Sequence, residues 1–395
     1  MKRRDAIKAL AALSAVPMAA KLYAAGPVQR PRFLLVFLRG GYDCANLLVP
    51  ISSSFYYESR PNIAVAKPNA EATSALSLDA NWGLHPVLRE SIYPLWTAGQ
   101  AAFVPFAGTD DLTRSHFDTQ DSIELGQALE GTRNFQSGFL NRLAGVLNSN
   151  EAIAFTDQLP VVFRGSKQIP NMALRSIGKP SVDARQSAII AAMYRGTPLA
   201  APVREGFAVR DDVAREMAAE MDAASRNAVT ARGFELEARR IARLMRDKYA
   251  LGFVDVGGWD THVGEGGATG YLAGRLDELG RGLAAFAEEL GPQWANTIVV
   301  VMSEFGRTFR ENGNRGTDHG HGSVYWVLGG SLRGGRVAGE QIKVDPATLF
   351  QNRDFPILNE YRRVLGGLFA RIYGVNDAQL EQVFPGVRPL DLALV

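Results

Sequence analysis

The chain has 395 residues, 46% of them apolar, and its 43 basic and 41 acidic side chains nearly cancel. That length and composition suffice for one large buried core, or for one core with a sizeable insertion. The scattered, balanced charge lacks the footprint of a nucleic-acid binder, and the single cysteine, Cys44, excludes an intrachain disulfide and a thiolate metal cluster.

The first residues, MKRRDAIKALAALSAVPMAAKLYAAG, set Arg3 and Arg4 before an alanine-rich run and a small-residue tail. They read as a twin-arginine-type export signal over residues 1–26, although Asp5-Ala6 stands where a more apolar pair is common. The run from Ala9 to Ala20 is too short and too mildly apolar for a retained anchor. The mature chain is therefore expected to be periplasmic or extracellular, to use the twin-arginine export machinery and to keep no stable membrane anchor.

From residue 31 strand-like apolar runs alternate with helical stretches, the signature of an α/β fold with a doubly wound, mostly parallel sheet flanked by helices. The runs are FLLVFL (33–38), AAFVPF (101–106), VVF (161–163), LGFVDV (251–256), TIVVVMS (297–303) and VYWVLG (324–329), continuous enough to be covered on both faces. Helices are expected over Pro86–Trp96, His116–Gln127, Gly138–Leu147, Tyr271–Leu290 and Asn359–Tyr373. A long Ala, Glu, Arg and Met-rich stretch at about 205–249 reads as a helical insertion or lid, and no linker divides residues 27–395 into two domains.

Ligands of open α/β sheets bind beyond the carboxyl ends of the strands, and these ends carry polar groups. Asp43 follows the first run, Arg114, Ser115 and His116 the second, Asp260 and His262 the fourth, and Glu304 and Arg307 the fifth. The turn GTDHGHG, with Asp318, His319 and His321, enters the sixth. Carboxylate and imidazole suit hard and borderline divalent cations, and two such ions about 4 Å apart stabilise the attacking and leaving oxygens of a displacement at phosphorus or sulfur. Without thiolates, any metal must be held by histidine and carboxylate. The expected cation is zinc, with manganese, calcium or magnesium as alternatives.

Each residue also has a plainer reading. Asp43, after two glycines, suits a turn or a helix cap; Ser115 suits the N-cap of the helix beginning at His116; Glu304 and Arg307 suit a surface ion pair. His85, just before Pro86, reads as structural. His116 is open between ligand, base for Ser115 and packed helix residue. Two histidines and an aspartate among glycines serve no core packing, so the DHGHG turn reads as ligands.

Taken together, FLRGGYDCANLLVP, LHPVL, RSHFDTQDSIELG, GGWDTH, SEFGRT and GTDHGHGSVYWVLGG resemble the exported bacterial family known as domain of unknown function 1501, across nearly the whole mature chain. That family is grouped with the alkaline phosphatase and sulfatase superfamily. The resemblance implies a doubly wound sheet, one or two metal ions, and a nucleophile at a helix start. It implies Asp43 as ligand of the nucleophile-side metal, Ser115 as nucleophile, Asp260 and His262 on the other metal, and His319 or His321 as the late histidine. Glu304, followed by Phe305, stands where the superfamily usually has an Asp-His pair. Either the DHGHG turn is that pair, or Glu304 replaces the aspartate and the turn supplies both histidines; the strand order favours the second. The metal set expected is thus Asp43, Asp260, His262, Glu304, Asp318, His319 and His321. The expected activity is hydrolysis of a small-molecule or polymeric phosphate or sulfate ester, with Arg114 or Arg307 clamping a nonbridging oxygen. The alternatives are a noncatalytic metal-stabilised binding or assembly protein on the same scaffold and a metal-free serine hydrolase, disfavoured because Gly-x-Ser-x-Gly is missing around Ser115.

Overall fold

The computed structural model describes residues 30–172, 184–208 and 233–395. The expected export signal and the middle of the expected helical insertion lie outside the described residues. The elements below belong to the unit Pro31–Val395.

In chain order the strands are β1 (Arg32–Arg39), β2 (Leu48–Val49), β3 (Leu76–Ser77), β4 (Gly83–Leu84), β5 (Ala101–Gly108), β6 (Ala152–Ala154), β7 (Leu251–Gly257), β8 (Thr297–Ser303), β9 (Ser323–Gly329), β10 (Arg336–Val337) and β11 (Asn359–Glu360). The main sheet runs β10-β5-β9-β8-β1-β7-β6, with β11 also paired to β5, and β2, β4 and β3 form a small sheet of their own. Strand β1 shows why the core runs read as unbroken apolar sequence. Phe33, Leu35 and Phe37 enter one buried cluster, while Leu34, Val36 and Leu38 enter another on the opposite face, as period-two side chains must when both faces are covered.

Helices close both faces. Leu34, Val36 and Leu38 share their cluster with Ile241 and Met245 of the helix Phe234–Asp247 and with Leu276 and Leu283 of the helix Tyr271–Leu290. Phe33, Leu35 and Phe37 share theirs with Leu140 and Leu143 of Phe139–Val146, Leu365 and Phe369 of Tyr361–Tyr373, and Leu380 of Asp377–Val383. This is a doubly wound sheet. The described end of the stretch at 205–249 is thus a core helix on the sheet. No helix among the described residues is long and apolar enough to cross a membrane.

One expectation changes. The run VVF is not a strand: Val161–Phe163 forms a 3-10 turn after Pro160, and the third strand of the main sheet in chain order is Ala152–Ala154, parallel to β7. Three apolar residues are too few to separate a strand from a buried turn, and here Val162 donates its backbone N–H to the buried Glu124 carboxylate instead of to a neighbouring strand. The sheet is mostly parallel, as expected, with one reversed strand. Strand β9 runs antiparallel to both β8 and β5, while β1 is parallel to β7 and β8. That reversal matters for function, because it brings the start of β9 to the same edge as the ends of β1, β5, β7 and β8. The DHGHG turn therefore meets the other strand-end loops.

Candidate metal centre

Two glycine positions let these loops touch. Gly40, just beyond β1, has φ +126°, and a Cβ there would lie 2.7 Å from the Asp260 backbone nitrogen. The segment after β8 pairs with the turn before β9 through Thr308 N–H to Asp318 O at 2.9 Å and Gly320 N–H to Gly306 O at 2.9 Å. Gly320 permits this ribbon, since a Cβ there would fall 2.4 Å from the Arg307 carbonyl carbon. Arg307 and His319 thereby become cross-strand neighbours.

Three histidines converge on Asp260. His262 Nε2 lies 2.9 Å from Asp260 Oδ1, and His319 Nε2 lies 3.3 Å from the same oxygen. His116 Nε2 lies 3.5 Å from Oδ2. The Nε2 atoms of His262 and His319 are 3.2 Å apart. One ligand atom each from His116, Asp260 and His319 lies within 4.8 Å of the others. Phe305 packs beside the rings of His116 and His319, at 4.9 and 5.1 Å between centroids.

The opposite nitrogen of each ring is committed to an oxygen. His116 Nδ1 is 2.8 Å from Glu304 Oε1, His262 Nδ1 is 3.1 Å from Asp318 Oδ1, and His319 Nδ1 is 2.9 Å from the Arg114 carbonyl oxygen. A carbonyl oxygen only accepts, so His319 Nδ1 carries the hydrogen, and the two carboxylates impose the same choice on His116 and His262. In the neutral rings all three Nε2 lone pairs then point into one space. This is the arrangement by which outer carboxylates and carbonyls orient metal-binding imidazoles.

The donor set fits a divalent cation on two grounds. His116 Nε2 is buried without a hydrogen-bond partner, an expensive state for a polar atom. Two lone pairs 3.2 Å apart also repel unless a proton or cation lies between them. A tetrahedron of zinc bonds about 2.0–2.1 Å long has edges of about 3.3 Å, and the Nε2 and Asp260 oxygen separations of 2.9 to 3.5 Å bracket that edge. The side chains of Asp260 and His262 remain 44% and 41% exposed, leaving one side open to a substrate.

The surrounding charges follow from these contacts. Burial alone would raise Glu304, but hydrogen bonds from His116 and Gln120 and from the backbone hold its carboxyl below the usual range. The same bond to Glu304 raises His116. Asp260 is lowered because the Arg307 Nη1 bond at 2.7 Å outweighs desolvation. Asp318 is likewise lowered against its burial by Asn312 and His262. Desolvation lowers His319.

The structure thus gathers Asp260, His262 and His319 with His116, whose role was open, and places Glu304 and Asp318 one step outward as hydrogen-bond acceptors. Two residues expected as metal ligands lie elsewhere. Asp43 is buried in a two-pronged ion pair with Arg60, Oδ2 at 2.5 Å from Nη1 and Oδ1 at 3.0 Å from Nη2, and it caps the short helix Cys44–Leu47. A guanidinium already neutralises it. His321 stacks on Phe350 at 4.7 Å, and burial together with Arg114 pushes its pKa down to about 4. The histidines at 319 and 321 therefore diverge although only Gly320 separates them.

Ser115 is the N-cap of the helix His116–Leu125, half-buried, its Oγ accepting from Asp118 N–H at 3.4 Å. Arg114, in front of it, has φ +50°, uncommon for a residue with a side chain. Its guanidinium binds Asp354 Oδ2 at 2.8 Å while its carbonyl takes His319. Arg307 is spent on Asp260 and Thr317, so both arginines are already engaged by protein oxygens. His85 is buried and structural, with Nδ1 accepting from Val87 N–H and Nε2 donating to Gly267 O at 3.0 Å. Sequence reading missed Arg60, Asn312 and Glu265, which lie outside the quoted motifs, and Gln120, which lies in RSHFDTQDSIELG four residues after His116.

No curated protein matches the sequence. Among solved structures, the lipoteichoic acid synthase LtaP from Listeria monocytogenes is similar at 9% identity over 92% of this chain and 76% of that one, with a TM-score of 0.37. A protein in the alkaline phosphatase superfamily from Vibrio parahaemolyticus is similar at 11% identity over 76% of this chain and 60% of that one, with a TM-score of 0.35. Ps i-CgsB in complex with k-i-k-neocarrahexaose is similar at 12% identity over 89% of this chain and 74% of that one, with a TM-score of 0.34. The family model described as protein of unknown function DUF1501 matches residues 30–384. The chain, with its histidine-rich sheet edge, belongs to that family.

Proposed function

We propose that the protein is an exported, metal-dependent hydrolase of phosphate or sulfate esters, acting outside the cytoplasm on a small-molecule or polymeric substrate. The observation that carries this reading is the convergence of three Nε2 atoms on Asp260, each ring fixed from behind by an oxygen. His116, His262, His319 and Asp260 would hold the cation, with zinc the best match to an imidazole-rich set. When bound, the cation supplies Lewis acidity toward a phosphoryl or sulfuryl oxygen.

The chain's own residues divide the remaining work. Ser115 precedes the ligand His116 at a helix start, where backbone N–H groups and the helix dipole favour an anionic oxygen. Attack by Ser115 Oγ on phosphorus or sulfur expels the alcohol and leaves a serine ester, and water then regenerates the hydroxyl and releases phosphate or sulfate. Arg307 keeps Asp260 ionised and aimed. Because Arg114 and Arg307 are bound to protein carboxylates, they act on substrate only if one of these bonds is exchanged for a substrate oxygen.

A panel of phosphate and sulfate esters assayed with zinc or manganese tests the reading. Ser115→Ala should abolish turnover while keeping metal; retained turnover eliminates the nucleophile. A second reading, a metal-stabilised binding or assembly protein, is favoured by the Asp43–Arg60 pair, which removes one carboxylate from the expected two-metal set. It predicts stoichiometric metal and no turnover on any ester.

A further inference from the structure

Beside His116, the proposed ligands come from two loops, and one buried side chain joins those loops. Asp260 and His262 flank Thr261, and Asp318 and His319 follow Thr317. Glu265 Oε2 accepts from Thr261 Oγ1 at 2.8 Å and from Thr317 Oγ1 at 2.7 Å, so a single oxygen bridges the two loops between their ligands. Thr317 in turn accepts from Arg307 Nε at its hydroxyl, 3.2 Å away, and from Nη2 at its carbonyl, 2.6 Å away. Arg307 then reaches Asp260 Oδ1 at 2.7 Å. The connection from Glu265 to the ligand set is therefore continuous and runs through threonine and arginine, without Glu265 touching a histidine.

The other end of Glu265 explains why it stays in place. The residue is fully buried, and its second oxygen has no ordinary donor. It faces Asp43, whose carboxylate is already occupied by Arg60. Two carboxyl groups in contact share a hydrogen when one of them is the acid. Burial and the neighbouring Asp43 charge push Glu265 well above the carboxylate range, whereas Arg60 outweighs burial and holds Asp43 below it. Glu265 thus turns one oxygen toward Asp43 and accepts two threonine hydroxyls at the other.

We propose that Glu265, buried beside the Asp43–Arg60 pair, is a positioning residue that sets the spacing of the two ligand loops through Thr261 and Thr317. This rests on reading the histidine cluster as a metal site. A backbone bond, Thr317 N–H to Thr261 O at 3.0 Å, already ties the loops, so the side-chain bridge is expected to tune affinity instead of creating the fold.

The test is zinc affinity, by competition against a chelating dye, together with thermal unfolding of the metal-free protein. Thr317→Val removes one bridging hydroxyl, nearly preserves shape and leaves Glu265 facing Asp43. It should weaken zinc binding by about 10-fold or more, as loss of an outer support does. Glu265→Gln keeps an acceptor for the threonines and an N–H for Asp43, and should stay within about 3-fold of the natural chain by the same measure. Glu265→Ala should fall about 10–100-fold; if it does not fold, Thr317→Val decides. Natural affinity in Thr317→Val, or an equal loss in Glu265→Gln and Glu265→Ala, overturns the proposal while zinc binding by the natural chain stands. A natural chain that binds no zinc overturns both the metal site and this role.

Discussion

The same sheet edge holds two sets of carboxylates that differ in what neutralises them. Around Asp260 the neighbours are Arg307 and three imidazoles, partly exposed, with their free nitrogens turned inward. Around Asp43 the neighbours are Arg60 and Glu265, all three fully buried or nearly so. A guanidinium is a permanent cation supplied by the chain, so Asp43 needs no other partner. Imidazoles fixed by Glu304, Asp318 and the Arg114 carbonyl supply lone pairs instead of charge, so that site calls for a cation from outside. Both aspartates meet a guanidinium, and the imidazoles that gather only around Asp260 set the two apart.

Histidines sharpen the contrast. On the dry side, burial pushes His85 down to about 4, whereas the Glu304 bond raises His116.

The largest expected effect falls on the dry set. Arg60→Ala leaves Asp43 buried without its cation and should cost about 3–5 kcal/mol of stability, read by denaturant unfolding; a change below about 1 kcal/mol would show that water or another group takes over. Next comes pH. The folded pKa of His85 lies below its unfolded value of 6.5, so the folded state takes up its proton later than the unfolded state. Its contribution to stability is intact above pH 6.5 and is lost as pH falls toward about 4, amounting to about 3 kcal/mol. His85→Gln should remove that part of the acid-side slope, and an unchanged slope in unfolding free energy between these limits would contradict the assignment. On the open side, Asp318→Ala or Glu304→Ala should weaken zinc about 10–100-fold, because each removes the outer acceptor of a ring. Calorimetric titration reads this directly, and natural affinity in both variants would mean the rings are oriented by packing alone. The smallest stability effect belongs to Ser115→Ala, about 1 kcal/mol for a lost N-cap; a larger fall in Tm would assign Ser115 chiefly to the fold.

Much of the architecture was legible because both faces of the sheet are covered. Residues 33–38, 101–106, 251–256, 297–303 and 324–329 read as unbroken apolar runs and are strands. What escaped is what short or local patterns cannot encode. Val161–Phe163 is too brief to distinguish a turn from a strand, and the reversed direction of β9 leaves no mark on its composition. GGWDTH and the DHGHG turn marked two of the loops that the fold brings together. The divergence of His319 and His321, by contrast, depends on the ribbon with residues 306–308, a long-range pairing. Asp43 stands in the expected place beyond β1, but its partner Arg60, 17 residues later, belongs to no motif.

The most direct measurement is the divalent metal content of the purified protein and of two single variants after zinc loading and desalting. The account predicts one zinc per chain, lost in His319→Ala and kept in His321→Ala. A metal-free natural chain, or equal loss in both variants, would contradict it.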